Sequence, residues 1–307
     1  MKKKMKLYQK VWKNRTLWLM LVPGILLVIL FSYIPMAGMV LAFKDHSYRL
    51  GILKSPWVGL ENFRFFFVSG DALRVTRNTF LYNFAFIIIN TVLELAIAVI
   101  LSEVGGKLFK KITQACMFLP YFISWVVVGS IAYNLFNYEN GLINHLLTFL
   151  GTDAVNIYSE PKYWPVIIIA FSAWKGVGYG MVVYLASITS ADPELNEAAE
   201  IDGANIFQRI RYITIPAIMP TVVIMTLLSI GRIFRGDFGL FYQLAGNNSA
   251  VFNVTDVIDT YVFRSLTSSA KLGMSAAVGV YQSVLCFITI MLANAAVKKI
   301  EPDYTLF

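Results

Sequence analysis

Charge is scarce in this chain: 14% of its 307 residues are Asp, Glu, Lys or Arg, against 57% hydrophobic, with a mean hydropathy of +0.64. An ordinary soluble domain, about a quarter charged, is excluded by that balance. Cysteine is almost missing as well. Cys116 and Cys286 both fall in apolar runs and form no C-x-x-C or metal-spaced set, so they read as packing residues. His46 and His145 stand apart, without a carboxylate or thiol cluster, and no metal site is expected. The loop that cradles nucleotide phosphates, G-x-x-x-x-G-K-[ST], is absent. Gly176, Gly178 and Gly180 in WKGVGYG sit in an apolar run with no preceding strand, and read as close helix packing through Gly176-x-x-x-Gly180. No cluster of His, Asp or Glu makes an acid–base constellation, so an enzyme is not expected.

What the chain has instead is a series of long apolar runs. Thr16 to Phe43 carries no charge and is longer than the roughly 20 residues that cross a bilayer. An uncleaved anchor fits it better than a signal peptide, because the run is long and lacks an Ala-x-Ala exit. Further runs at Phe80–Leu101, Ala115–Phe136, Trp164–Ile188, Ala217–Phe234 and Met274–Val297 predict an all-α integral membrane protein with six transmembrane helices. Strands of a membrane barrel would alternate in polarity, and these runs do not. The expected layout is a basic tail at 1–16, a first span at 17–43, an outer loop at 44–79, a five-helix core at 80–297 and a tail at 298–307. The core includes a polar loop at 190–216 and an outer loop at 235–273.

Lys2, Lys3, Lys4, Lys6, Lys10, Lys13, Arg15, Lys107, Lys110, Lys111, Arg209, Arg211, Lys298 and Lys299 fall on one side of these spans, which places that side and both termini in the cytoplasm. The net charge of +8 follows loop ends rather than an aromatic-studded face, so lipid headgroups are expected as its partner and nucleic acid is not.

Residues 190–216, SADPELNEAAEIDGANIFQRIRYITIP, form the polar loop between the fourth and fifth spans. Asp192 can cap a helix, Pro193 suits its first turn, and Glu194 favours its positive end. Gly203 can supply the left-handed residue that ends this helix, and Ile206, Ile210 and Ile213 mark one face of a second piece. Ala198 and Ala199 remove bulk from one side, which suits close docking on another protein.

Glu197-Ala198-Ala199, followed at fixed offsets by Gly203, Ile213 and Pro216, resembles the EAA loop of binding-protein-dependent ABC import permeases. In that signature E-A-A is followed by three residues, G, nine residues, I, one residue and L-P; here Ile215 replaces the Leu. Further stretches are similar to the sugar-permease branch associated with oligosaccharides and polysaccharide fragments. They include Ser55-Pro56-Trp57-Val58-Gly59-Leu60-Glu61-Asn62-Phe63, Phe118-Leu119-Pro120-Tyr121, Asp237-Phe238-Gly239-Leu240-Phe241-Tyr242-Gln243 and Asp256-Val257-Ile258-Asp259-Thr260-Tyr261. The resemblance implies a type I importer fold, with Glu197, Ala198, Ala199, Asp202, Gly203, Ala204, Ile213 and Pro216 in a cytoplasmic coupling helix and loop. It also implies a second, different permease chain, a dimer of ATP-binding subunits that holds ATP and Mg, and an extracytoplasmic substrate-binding protein. No cofactor is then expected on this chain.

Ionisable groups inside a membrane invite a functional reading. Trp174, Lys175 and Tyr179 combine a cation with aromatic faces, which suits a sugar ring and a uronate carboxylate. With Asp237, Tyr242, Gln243 and Gln282 they make up the expected substrate pathway. The rival is an ion-coupled sugar carrier that works without an ATPase, using Glu94 and Lys175 as a buried relay.

Overall fold

The computed structural model describes residues 12, 14–269 and 271–300. The basic tail from Lys2 to Lys10, Lys13 and the tail beyond 300 lie outside the described residues. Among the described residues the secondary structure is helical, with one isolated bridge between Lys44 and Trp57.

The first helix, α1 (Arg15–Phe43), passes through a π-turn at Ile29–Tyr33 and tightens to 3-10 geometry at Ala37–Phe43. No residue of its first stretch, Arg15–Val28, is buried. Its far end is anchored where the Lys44 carbonyl and Asn62 close over Gly273; the Asn62 side chain donates to the carbonyls of Ala42 and Lys44, both at 3.0 Å. Lys44 turns its ammonium onto the carbonyls of Ile52 and Leu53 at 3.0 and 2.7 Å, which folds the following connection back on itself. That connection carries α2 (Glu61–Val68), so it is not a plain loop.

The long helix α3 (Asp71–Glu103) opens after Gly70, whose φ of +77° turns the chain into it. It starts at Asp71 rather than Phe80, so the expected outer loop ends earlier. The run Ala115–Phe136, expected as one span, is two helices, α4 (Lys107–Phe122) and α5 (Trp125–Phe136), meeting at 93°. Two features cause this break. Pro120 near the end of α4 removes a backbone donor, and the Ser124 side chain accepts from Val127 N–H to start α5 afresh. A short α6 (Leu142–Phe149) follows.

The central helix, α7 (Trp164–Ser190), lies against both α3 and α4 because it lacks side chains where they meet. A Cβ on Gly180 would collide with the Glu94 carboxylate of α3, and one on Gly178 with the Met117 carbonyl of α4. At Gly176 a Cβ would meet only the Asn90 side chain at 3.9 Å, so the tight pair is Gly178 and Gly180, not Gly176 and Gly180.

After α8 (Pro193–Ile201), the next helix, α9, runs from Ile206 to Ile230 with a π-turn at Ile210–Thr214. The expected span Ala217–Phe234 is therefore longer at its start and shorter at its end. The expected outer loop at 235–273 contains α10 (Phe238–Ala245) and α11 (Ile258–Ser269). Leu240, Phe241, Leu244 and Ala245 of α10 are buried in the core with Tyr82, Val128 and Trp164. Gly246, at φ +66°, ends α10. Beneath α11 the Asp256 carboxylate is fully buried and held by Arg264 at 2.6 Å and Arg74 at 3.1 Å. The last helix is α12 (Leu272–Ile300). Among the described residues, five continuous helices, with α4–α5 as a sixth, broken one, are long and apolar enough to cross a membrane.

Candidate functional site

Two places draw polar groups together: the loop around α8, and a cavity walled by α3, α7 and the end of α9. The loop is built locally. Asp192 accepts the Glu194 N–H at 3.0 Å, with Pro193 in the first turn, as its sequence predicts. At the other end Ala204 N–H returns to the Ala199 carbonyl at 2.9 Å around Gly203, whose φ is +81°. That six-to-one closure with a left-handed glycine satisfies the last carbonyls of α8. Immediately afterwards Asn205 and Gln208 exchange side-chain and backbone hydrogen bonds at 2.8 and 3.0 Å, so α9 starts in a fixed orientation to α8.

Glu197, Ala198, Asp202, Gly203 and Pro216 are exposed, and Ala199, Ala204 and Ile213 half-buried. Around them large apolar side chains stand in the open: Ile201 is 87% exposed, Phe207 79% and Tyr212 68%. Apolar exposure on that scale at the tip of a polar loop is chemistry suited to contact with another protein. Beneath it, Arg209 pairs with Glu200 of α8 at 2.8 Å and with Glu103 of α3 at 3.3 Å.

The cavity holds about 480 Å³. One face of α3 supplies Asn83, Asn90, Thr91 and Glu94; α7 supplies Tyr179, Gly180 and Tyr184; α4 supplies Tyr121; and the chain beyond α9 supplies Arg232, Arg235 and Asp237. Tyr121 and Tyr179 stack with ring centres 5.1 Å apart, giving the cavity an aromatic wall. Neither Arg232 nor Arg235 forms an ion pair among the described residues, and both are exposed. The Glu94 carboxylate sits against Gly180 deeper in the cavity. The arrangement offers free guanidinium donors, an aromatic platform, amide side chains and a carboxylate, a set that can bind carboxylates, sugar faces and hydroxyls.

Of the residues expected in the substrate pathway, Tyr179 and Asp237 lie on this wall. Lys175 stands behind it. Its ammonium donates to the carbonyls of Pro120, Tyr121 and Ile123 at 3.3, 2.7 and 2.6 Å, and lies 5.2 Å from the centre of the Trp125 ring. All three donors are used at the α4–α5 break, and no ion pair joins Lys175 to Glu94. Asp237 in turn accepts from Trp125 Nε1 at 3.0 Å and caps α10 through Leu240 N–H at 3.1 Å. Trp174 packs on Phe171, and Tyr242 between Phe238 and Phe263. The Gln243 carbonyl lies against Gly129 of α5, and Gln282 donates to the Phe234 carbonyl at 2.8 Å and to Asp259 at 2.9 Å. These four do not line the cavity. Missing from the expected set were Asn83, Asn90, Tyr121, Glu94 and the two arginines. The signal for the α3 group was available, since positions 83, 90, 91 and 94 share one helical face.

Comparison with known proteins bears on both places. The family model of the binding-protein-dependent transport system inner membrane component matches residues 19–302. Protein LplB of Bacillus subtilis is 35% identical over 95% of this chain and 91% of its own length. The polygalacturonan/rhamnogalacturonan transport system permease protein YteP of the same organism is 35% identical over 97% of this chain and 92% of its own. A chain in the crystal structure of a bacterial ABC transporter involved in import of the acidic polysaccharide alginate superposes with a TM-score of 0.87 at 29% identity, covering 97% of this chain and all of that one. A second structure, of the bacterial alginate ABC transporter in complex with an alginate pentasaccharide-bound periplasmic protein, gives 0.85 at 28% identity, with 96% and 98% coverage.

Proposed function

The chain belongs to the binding-protein-dependent transport system inner membrane components, and from that premise we propose that its cargo is an oligosaccharide bearing carboxylates. It is a multi-pass permease subunit of an ABC importer for carbohydrate, not an enzyme. The observation behind the acidic cargo is the pair of exposed guanidinium groups, Arg232 and Arg235, which form no salt bridge among the described residues, at a cavity whose wall is the Tyr121–Tyr179 stack. Relatives named for polygalacturonan and alginate transport support the same chemistry.

In this reading the α8 end of the bundle faces the cytoplasm with both termini, and α8 docks on a dimer of ATP-binding subunits that carries ATP and Mg. A second, different permease chain completes the membrane channel, and an extracytoplasmic binding protein delivers the sugar at the opposite end, near α2 and α11. ATP binding draws the ATPases together, α8 moves with them, and α3 and α9, which wall the cavity, open it towards the binding protein. Arg232 and Arg235 meet the carboxylates, Tyr121 and Tyr179 the ring faces, and Glu94, Asn90 and Asn83 the hydroxyls.

Uptake by the reconstituted importer tests the cargo. Replacing Arg232 and Arg235 together by Gln is expected to lower uptake of uronate oligosaccharides by about tenfold or more, the worth of one charge-assisted hydrogen bond, and to leave neutral oligosaccharides within about twofold. Equal loss on both classes of sugar would contradict an acidic cargo.

A further inference from the structure

We infer that Arg209 is the positioning residue that carries movement of α8 into α3, the wall of the cavity; this rests on the importer reading above. Arg209 stands in the first turn of α9, directly after the capping box of Asn205 and Gln208. Its guanidinium reaches in two directions. One nitrogen bonds Glu200 of α8 at 2.8 Å, and another bonds Glu103, the last residue of α3, at 3.3 Å. Arg209 and Glu103 keep only 18% and 22% of their side chains exposed, whereas Glu200 keeps 71%. An exposed ion pair contributes little, so α8 reaches Arg209 mainly through the Gly203 turn and the Asn205–Gln208 box, and the link to Glu103 carries the movement on to α3. The guanidinium reaches both carboxylates in fixed directions, whereas a lysine ammonium, a single point charge, keeps the charge but not that geometry.

The route onward is stiff. Glu94 precedes Glu103 by nine residues on one continuous helix, or roughly 14 Å at 1.5 Å per residue. The end of α3 is itself tied down, because Lys110 donates to the Ser102 carbonyl at 2.8 Å. The alternative route, up α9, is interrupted just beyond Arg209 by the π-turn at Ile210–Thr214. A π-turn breaks the regular ladder and lets the two sides shift against each other. A displacement of α8 therefore reaches the cavity more faithfully through Arg209 and Glu103 than through the backbone of α9. A plain structural tether would hold the loop in place; a coupling residue sets how much transport each ATP yields.

The experiment is a coupling ratio: sugar imported per ATP hydrolysed, in proteoliposomes containing the whole importer, for wild type, Arg209→Met, Glu103→Gln, the double variant and Arg209→Lys. Arg209→Met is expected to leave ATP hydrolysis within about twofold and to lower the ratio about tenfold, a coupling free energy in the usual allosteric range. Glu103→Gln should act in the same direction, the double variant should be no worse than Arg209→Met, and Arg209→Lys should recover part of the loss. Glu103→Gln, which keeps shape, carries the test should Arg209→Met fail to assemble. A wild-type ratio in both single variants, or effects that multiply in the double variant, would overturn the inference and leave the importer reading intact. Wild-type chains that neither hold an ATPase nor couple uptake to hydrolysis would overturn both.

Discussion

Burial raises the carboxyl of Asp259 above its ordinary value of 3.8, against the opposing pull of hydrogen bonds from Gly236 N–H and Gln282. Those bonds are 2.6 and 2.9 Å long, so the group is held firmly while losing water. Because the native carboxyl binds its proton at higher pH than the unfolded chain does, stability grows as pH falls through the raised native value and levels off below 3.8. Above that native value the ionised carboxylate carries its full desolvation cost. Asp259→Asn removes the titration, so the difference in thermal midpoint between wild type and variant should shift in favour of wild type on acidification. A pH-independent difference, measured by thermal denaturation of the purified chain, would contradict this. Single residues of the polar loop were legible in sequence because each has a local partner: Asp192 caps two residues on, and Gly203 turns the helix it ends. Lys175 was not legible in that way. Its partners at Pro120, Tyr121 and Ile123 lie more than 50 positions back along the chain, and no periodicity announces them.

At the scale of elements, that lysine adds a tertiary tie to the α4–α5 break that Pro120 and Ser124 begin. The apolar run Phe122-Ile123-Ser124-Trp125-Val126 continues without a polar interruption strong enough to suggest a bend of 93°. Pro120 and Ser124 allow the bend, and a tertiary contact completes it: carbonyls left open at the end of α4 are met by an ammonium from α7. Lys175→Met should therefore destabilise the protein by on the order of 2 kcal/mol, the usual range for losing hydrogen bonds to a charged group. Its thermal midpoint should fall while the preference of uptake among acidic and neutral sugars stays unchanged. An altered preference with an unchanged midpoint would instead return Lys175 to the substrate pathway. The region of α10 escaped sequence reading for a related reason. Its Gly, Asn and Tyr content suggests a loop, and its buried face of Leu240, Phe241, Leu244 and Ala245 becomes evident only against Val128 and Trp164 from other helices. The helices α3, α7 and α12 were legible because length and hydropathy alone identify a bilayer-spanning run.

For the whole molecule, the apolar groups exposed around α8 and the start of α9, and the unburied first stretch of α1, are surfaces that the chain does not cover itself. Ile201, Phe207 and Tyr212 stay out of the chain's own core, and in the proposed reading their exposure is the counterpart of a docked ATPase. Extraction of the chain from its native membrane in mild detergent, with identification of every polypeptide that accompanies it, tests this most directly. The account predicts an ATP-binding subunit and a second permease chain with the wild type, and loss of the ATPase on Gly203→Asp, because a side chain at φ +81° strains the turn that presents α8. A chain recovered alone, or only with copies of itself, would contradict it.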